Sequence, residues 1–281
     1  MQIAAPSGLL VSDSVTKLGD PARGRVVVSG SHCGVYAAYL AARAGARGVV
    51  LNDASVGRDA AGIGGLAWLA ELGIPAAAID YRTARIGDGA DTLARGVVSH
   101  VNAVAHAFGC TPGQSARECA AQLVARASPA PDAVPTEREG RYAIRTASGR
   151  CGVAIWAIDS ISLLRADDAG AVVLAGSHGG LLGGDPATAL RFDALAAAFN
   201  DAGGGMDGAG YTRLPVLDAR GIAAVTVAAR SARIGDGRST HEDGIVSRCN
   251  RAAEKLGAKE GMPAAVFVDI VVTAAHPRKG K

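Results

Sequence analysis

Val26–Gly34 reads VVVSGSHCG, and Val172–Gly180 reads VVLAGSHGG. Each stretch is an apolar run that ends in small residues and a histidine, the pattern of a buried β-strand passing through a tight turn into a helix. The two histidines stand 146 positions apart, 178 less 32. Upstream at the same offset, Asp13-Ser14, Leu18 and Gly24 match Asp159-Ser160, Leu164 and Gly170. A two-residue insertion then moves the offset to 148, 200 less 52, and Asn52-Asp53-Ala54 matches Asn200-Asp201-Ala202. Gly57, Asp59 and Gly62 match Gly205, Asp207 and Gly210, and the hexapeptide ARIGDG occurs at Ala84–Gly89 and again at Ala232–Gly237. Ser99, Asn102 and Gly109 match Ser247, Asn250 and Gly257. This many ordered identities with one small gap read as a tandem duplication.

The pattern around these matches predicts strands over 25–29, 48–52 and 74–81. Helices are expected over Val35–Ala44, Ala60–Leu72 and Asp91–Phe108, with the same order in the second copy. Strand and helix alternate, which makes each half a βαβαβα unit on a parallel sheet. The expected fold class is α/β, with two duplicated halves joined in one doubly wound, mostly parallel sheet. Thr111–Ala127 reads as an extra helix outside the repeat, with Pro112 near its start. Ser128–Pro135 carries three prolines and reads as a linker. Arg141–Thr146 and Gly152–Ile158 flank a Ser148-Gly149-Arg150 turn, a hairpin added between the halves. Met262–Thr273 reads as a last apolar strand that completes the sheet, and His276–Lys281 as a basic tail. The expected limits are 1–127 for the first α/β repeat, 128–158 for linker and hairpin, and 159–281 for the second repeat.

A chain of 281 residues that is 49% hydrophobic buries a substantial core, and with 4% aromatics that core is Ala, Val, Leu and Ile packed at close range. No apolar run reaches the roughly 18 residues that span a bilayer. MQIAAPSGLLV has no basic residue ahead of its short apolar run, unlike a signal peptide. A net charge of +3 without a basic cluster argues against nucleic acid as a partner. The five cysteines are odd in number and form no CxxC, so free thiols in a reduced, cytoplasmic compartment are expected, with neither a disulfide framework nor a structural zinc. A homo-oligomer is compatible with all of this.

Glycines and apolar identities between the copies follow cheaply from turns and core packing. Polar identities need a stronger reason. Ser31-His32, Asn52-Asp53 and Arg85 to Asp88 all fall at carboxyl ends of predicted parallel strands, the edge where open α/β sheets bind ligands. His32 and His178 are therefore candidate acid/base catalysts. Asp53 and Asp201 are candidate orienters or metal ligands, and Arg85 and Arg233 candidate anion anchors, either pairing with Asp88 and Asp236 or reaching a substrate. Ser31, Ser177, Asn52, Asn200, Asp88 and Asp236 complete the candidate substrate-binding set. Ser31, Asp59 and Asp207 also suit helix caps, and Ser99 and Asn102 fall inside a predicted helix, where they bond a loop. Cys33, beside a helix start, is a candidate nucleophile in one half only, since its counterpart is Gly179.

The cofactor is unknown. A divalent metal held by His32 or His178 with Asp53 or Asp201 is open, although no HxH or HExxH supports it. GSHCG has the glycine spacing of a nucleophile elbow with histidine at its centre, which assigns no hydrolase family. There is no Walker motif, and the glycine-rich stretch GSHGGLLGGD lacks the G-x-G-x-x-G spacing of a dinucleotide fingerprint. The expected function is an enzyme acting on a small polar, anionic metabolite by histidine acid/base chemistry, with hydrolysis ahead of isomerisation and elimination. The alternatives are a non-catalytic small-molecule or nucleotide-binding protein, and a self-assembling scaffold whose polar identities are buried and bonded to one another. If both halves share one sheet, His32 and His178 meet in one crevice at its switch point; two sheets would give two independent sites.

Overall fold

The computed structural model describes residues 7–129, 131, 133–145 and 152–275. They form two compact units. The first holds Met1–Arg138 with Leu182–Gly184 and Gly203–Ala209; the second holds Glu139–Leu181, Asp185–Ala202 and Gly210–Lys281.

In the first unit, β1 (Leu9–Ser12), β2 (Val26–His32), α1 (Val35–Arg43), β3 (Gly48–Asn52), α2 (Gly65–Glu71), β4 (Ala76–Ile79), α3 (Gly89–Arg95), β5 (Val98–Val101), α4 (Ala103–Ala107) and α5 (Ala116–Arg126) follow in order. The sheet runs β1-β2-β3-β4-β5, with the first four strands parallel and β5 antiparallel to β4. Successive side chains point to opposite faces. Val27, Val49, Leu51, Ala76 and Ala78 pack with α1 and α2. Val26, Val28, Val50, Ala77 and Ile79 pack with Leu93, Ala105 and the Ala116, Cys119, Ala120 and Leu123 face of α5. Burial on both faces is why these strands read as continuous apolar runs instead of alternating ones.

The second unit contains β6 (Arg141–Ala143), β7 (Ile155–Ile158), β8 (Val172–His178), β9 (Ala196–Asn200), α6 (Arg213–Ala219), β10 (Ala223–Val227), α7 (Gly237–Glu242), β11 (Val246–Cys249), α8 (Arg251–Lys255) and α9 (Ala264–Ala275). Its sheet runs β11-β10-β9-β8-β7-β6, parallel from β7 to β10, with antiparallel edge strands β6 and β11. The Ser148-Gly149-Arg150 turn and the His276–Lys281 tail lie outside the described residues.

Four expectations fail, each for a physical reason. The single doubly wound sheet is replaced by two mostly parallel sheets. Among the described residues the strands stand in chain order, and the first unit's crossovers (Val15, Ala22, α1, α2) all pack on one face, so that sheet shows no reversal of strand order and no switch point. The helix expected over Asp91–Phe108 is instead α3, β5 and α4. Gly96 ends α3 where a Cβ would press on the Thr92 carbonyl and come within 2.8 Å of the Ile79 side chain, after which Val98–Val101 pairs with β4. The last apolar run is helix α9, not a strand. Its buried Ala264, Phe267, Val268, Val271 and Val272 follow helical spacing, which a run of β-branched residues conceals. Finally, no α-helix lies between β8 and β9. Gly183 (φ +59°) and Gly184 (φ +74°) are left-handed and Pro186 follows, leaving one 3-10 turn at Pro186–Thr188.

α5 and α9 are anchored alike in their own units: the Ala116 amide donates to the Gly96 carbonyl and the Ala264 amide to the Gly244 carbonyl, both at 2.8 Å. α5 starts at a Ser115/Glu118 capping box and not at Pro112. No helix among the described residues is long and apolar enough to cross a membrane.

Candidate functional site

At the carboxyl end of the first unit's sheet, the Gly-Ser-His turn and the ARIGDG loop hold each other. The Gly87 amide donates to the Gly30 carbonyl at 2.8 Å, and a Cβ on Gly30 would collide with the Asp88 amide. The second unit repeats both features with Gly235, Gly176 and Asp236. Asp88 caps α3 by accepting the Asp91 amide at 2.8 Å, and Asp236 caps α7 by accepting the Ser239 amide at 2.9 Å. Asp13 and Asp159 accept the next amides of those helices, Gly89 at 3.1 Å and Gly237 at 3.0 Å. Ser31 Oγ accepts the Val15 amide and Ser177 Oγ the Ile161 amide, so each serine fixes a 3-10 turn in its own unit.

The Asn-Asp pairs serve the next two strand ends. Asn52 Oδ1 accepts the Ala54 amide at 2.9 Å while its Nδ2 donates to the Ala84 carbonyl; Asn200 does the same with Ala202 and Ala232. Asp53 Oδ1 accepts the Ser55 and Tyr81 amides, both at 3.0 Å, and Asp201 Oδ1 accepts the Ala229 amide at 2.8 Å. Burial pushes the Asp53 carboxyl above its ordinary range, against bonds to Ser99, Tyr81 and Ser55 that pull it down. Each pair ties one strand-end loop to the next. Ser99 and Asn102 lie in β5 and at the start of α4, not within a helix. Asn102 Oδ1 accepts the Ala76 and Ala105 amides and its Nδ2 donates to the Leu66 and Ile74 carbonyls, so the side chain is saturated.

The histidines sit at the same tips. His32 Nδ1 accepts the Gly34 amide at 3.1 Å, and His178 Nδ1 accepts the Gly180 amide at 3.2 Å. An imidazole that accepts at Nδ1 carries its proton on Nε2, so each ring is a neutral donor. Burial pushes the His32 imidazole down to about 4, well below the neutral range expected of an acid/base catalyst. Its orientation comes from the Gly34 amide, in place of the carboxylate of Asp53. Cys33 is fully buried, and burial followed by the Asp53 charge pushes its thiol up to about 12, which removes the thiolate a nucleophile needs.

Arg85 is not an open anchor. Its guanidinium lies 2.7 Å from Asp207, 3.9 Å from Asp91 and 4.0 Å from Asp88, while Arg95 bonds Asp91 at 2.7 Å and Asp207 at 3.3 Å. The guanidiniums of Arg95 and Arg85 hold the Asp207 carboxyl below its usual range. Arg233 lies 3.3 Å from Asp236. Asp91 and Arg95 are outside the expected set and Asp207 is read from the chain only as a helix cap; its ion pair with Arg95, 112 positions away, leaves no local signal. A carboxyl at the tip of β7 was also missed. Burial, then the Asp159 carboxylate, pushes Glu139 up to about 7, opposed by a bond to Ser160.

Two loops carry unusual backbone. Every non-glycine residue with positive φ among the described residues lies after β3 (Ala54, Ser55, Val56, Asp59, Ala60) or after β9 (Ala202, Asp207). Asp59 and Asp207 are among them, at φ +53° and +56°, so neither caps a helix in the expected way. Among the described residues, no three His, Cys, Asp or Glu side chains converge as a metal-ligand set. No protein-family model, curated protein or solved structure matches the chain.

Proposed function

We propose that the chain arose by duplication of one α/β unit, and that it is an enzyme acting on a small polar, anionic metabolite at the carboxyl edges of its strands. The carrying observation is the gathering of the seven left-handed non-glycine residues found among the described residues into the loops after β3 and β9. Left-handed backbone costs about 1–2 kcal/mol per residue, and such strain persists mainly where a binding or catalytic site uses it. In this reading His32 and His178 act through Nε2–H, stabilising negative charge that develops on the substrate as neutral donors. Hydrolysis remains the reaction class to test first, before isomerisation and elimination.

A second reading is a non-catalytic binder of the same ligand class, favoured by the depressed His32 titration, which suits donation better than proton abstraction. The test is a thermal-shift and calorimetric screen of small carboxylates and phosphate esters, followed by turnover assays on any binder. A ligand whose affinity falls at least tenfold in His32→Ala or His178→Ala is expected, with turnover separating the two readings. Ligands bound equally by both variants would overturn the histidine assignment. A screen without any binder would favour the scaffold, whose bonded polar residues are already in place.

A further inference from the structure

Cys110 and Cys119 lie in the first unit, away from the strand tips. Cys110 follows the left-handed turn at Gly109 (φ +89°), and Cys119 faces inward from the first turns of α5. Both side chains are fully buried, and their Sγ atoms are 3.1 Å apart. Packing does not require sulfur there. The sequence-matched positions 148 further on are Ala258 and Phe267, both buried in the second unit's core. The backbone frame is the same, with the Cys110 amide donating to the Ala105 carbonyl at 3.0 Å and the Ala258 amide to the Ala253 carbonyl at 3.1 Å. An alanine and a phenylalanine thus fill in one unit the place that two touching thiols fill in the other.

We propose that Cys110 and Cys119 form a reversible dithiol–disulfide pair, a modification site that staples the start of α5 to the turn after α4. The oxidant is hydrogen peroxide. The Cys110 sulfur attacks the peroxide oxygen, breaks the O–O bond and becomes a sulfenic acid with release of one water. Cys119 then attacks that sulfur, the S–S bond forms, and the sulfenic oxygen leaves as a second water. Cys110 is the first to react for two reasons. The Cys119 S–H donates to it, and the Arg126 guanidinium, held by the Phe108 carbonyl at 2.6 Å, adds positive charge; together they favour the thiolate over the opposing effect of burial. Its cover is thin, because Gly109 and Thr111 to Gly113 are exposed. A dithiol reductant reverses the bridge by exchange.

The experiment treats the native protein with hydrogen peroxide, removes the peroxide, unfolds the chain and alkylates it. Of five cysteines, three should remain alkylated, with a mass loss of two hydrogens at the bridge. Trypsin cuts after Arg117 and separates the pair, so Gly96–Arg117 should be found joined to Glu118–Arg126, and reduction should part them. Cys110→Ala, which installs the residue found at 258, should fold and keep all four remaining thiols alkylated after the same treatment. Five alkylated thiols in the treated wild type, a bridge to Cys33, Cys151 or Cys249, or a bridge persisting in Cys110→Ala would each overturn the proposal.

Discussion

Gly65 and Arg213 open α2 and α6 at sequence-matched positions, and each donates its amide to the residue after the strand-end histidine, Cys33 at 2.8 Å and Gly179 at 2.9 Å. Beyond that shared bond they differ completely. In the first unit α1 lies directly on Gly65, where a Cβ would come within 2.6 Å of Ala38 Cβ and 2.8 Å of the Cys33 carbonyl. Among the second unit's described residues no such helix follows β8, and the Arg213 side chain fills the space. Its guanidinium lies over the Phe199 ring at 5.2 Å and donates to the carbonyls of Gly180 (3.1 Å), Thr188 (2.6 Å) and Ala189. Burial pushes it down to about 10, so it stays charged at neutral pH. One strand frame accepts either a helix packed on a glycine or a glycine-rich loop held by a buried cation. The frame is therefore set by strands and their end loops, not by the crossover.

Substitution at these two positions should give the largest effect. Arg213→Met leaves three loop carbonyls without their donor and should destabilise the second unit by about 4 kcal/mol. Gly65→Ala should destabilise the first by about 2 kcal/mol through overpacking. The two tryptophans report separately, Trp68 in one unit and Trp156 in the other, so urea melts in Trp→Phe backgrounds assign each loss. Equal losses from Arg213→Met in both reporters would break the comparison.

His32 gives the next effect. Its folded-state pKa is lowered to about 4 from an ordinary 6.5. The unfolded chain therefore binds the proton first, and this stability is complete above pH 6.5 and lost as pH falls towards 4. His32→Asn keeps an acceptor for the Gly34 amide without the titration. It should flatten that acid limb by about 2 kcal/mol in melts at pH 7 and pH 4; an unchanged limb would refute the assignment.

The smallest expected effect is a gain. Val56 is β-branched at φ +63°, so Val56→Gly should stabilise the first unit by about 1 kcal/mol. If the strain serves binding, the same variant should hold any ligand less tightly. Stabilisation with unchanged affinity would mean that the strained loop is structural.

The polar residues singled out from the chain alone are at the strand ends, as their spacing after apolar runs implied. Most of them, however, bond backbone. Asn52, Asp53, Asp88 and Ser31 each accept a specific amide, a role that identity at sequence-matched positions cannot distinguish from ligand binding, because a loop needing a staple and a site needing a ligand group call for the same residue types.

The strand cores and the glycine-flanked turns are legible in the residues alone, because burial on two faces demands continuous apolar runs and tight turns demand residues without a Cβ. Two sheets instead of one, the helical state of the apolar run from Ala264 onward, and the closure of Arg85 and Arg95 on Asp207 appear only once the elements have packed. Strand order, the helix or strand state of an all-apolar run, and ion pairs between distant positions are settled by which surfaces meet, and local periodicity carries no record of that.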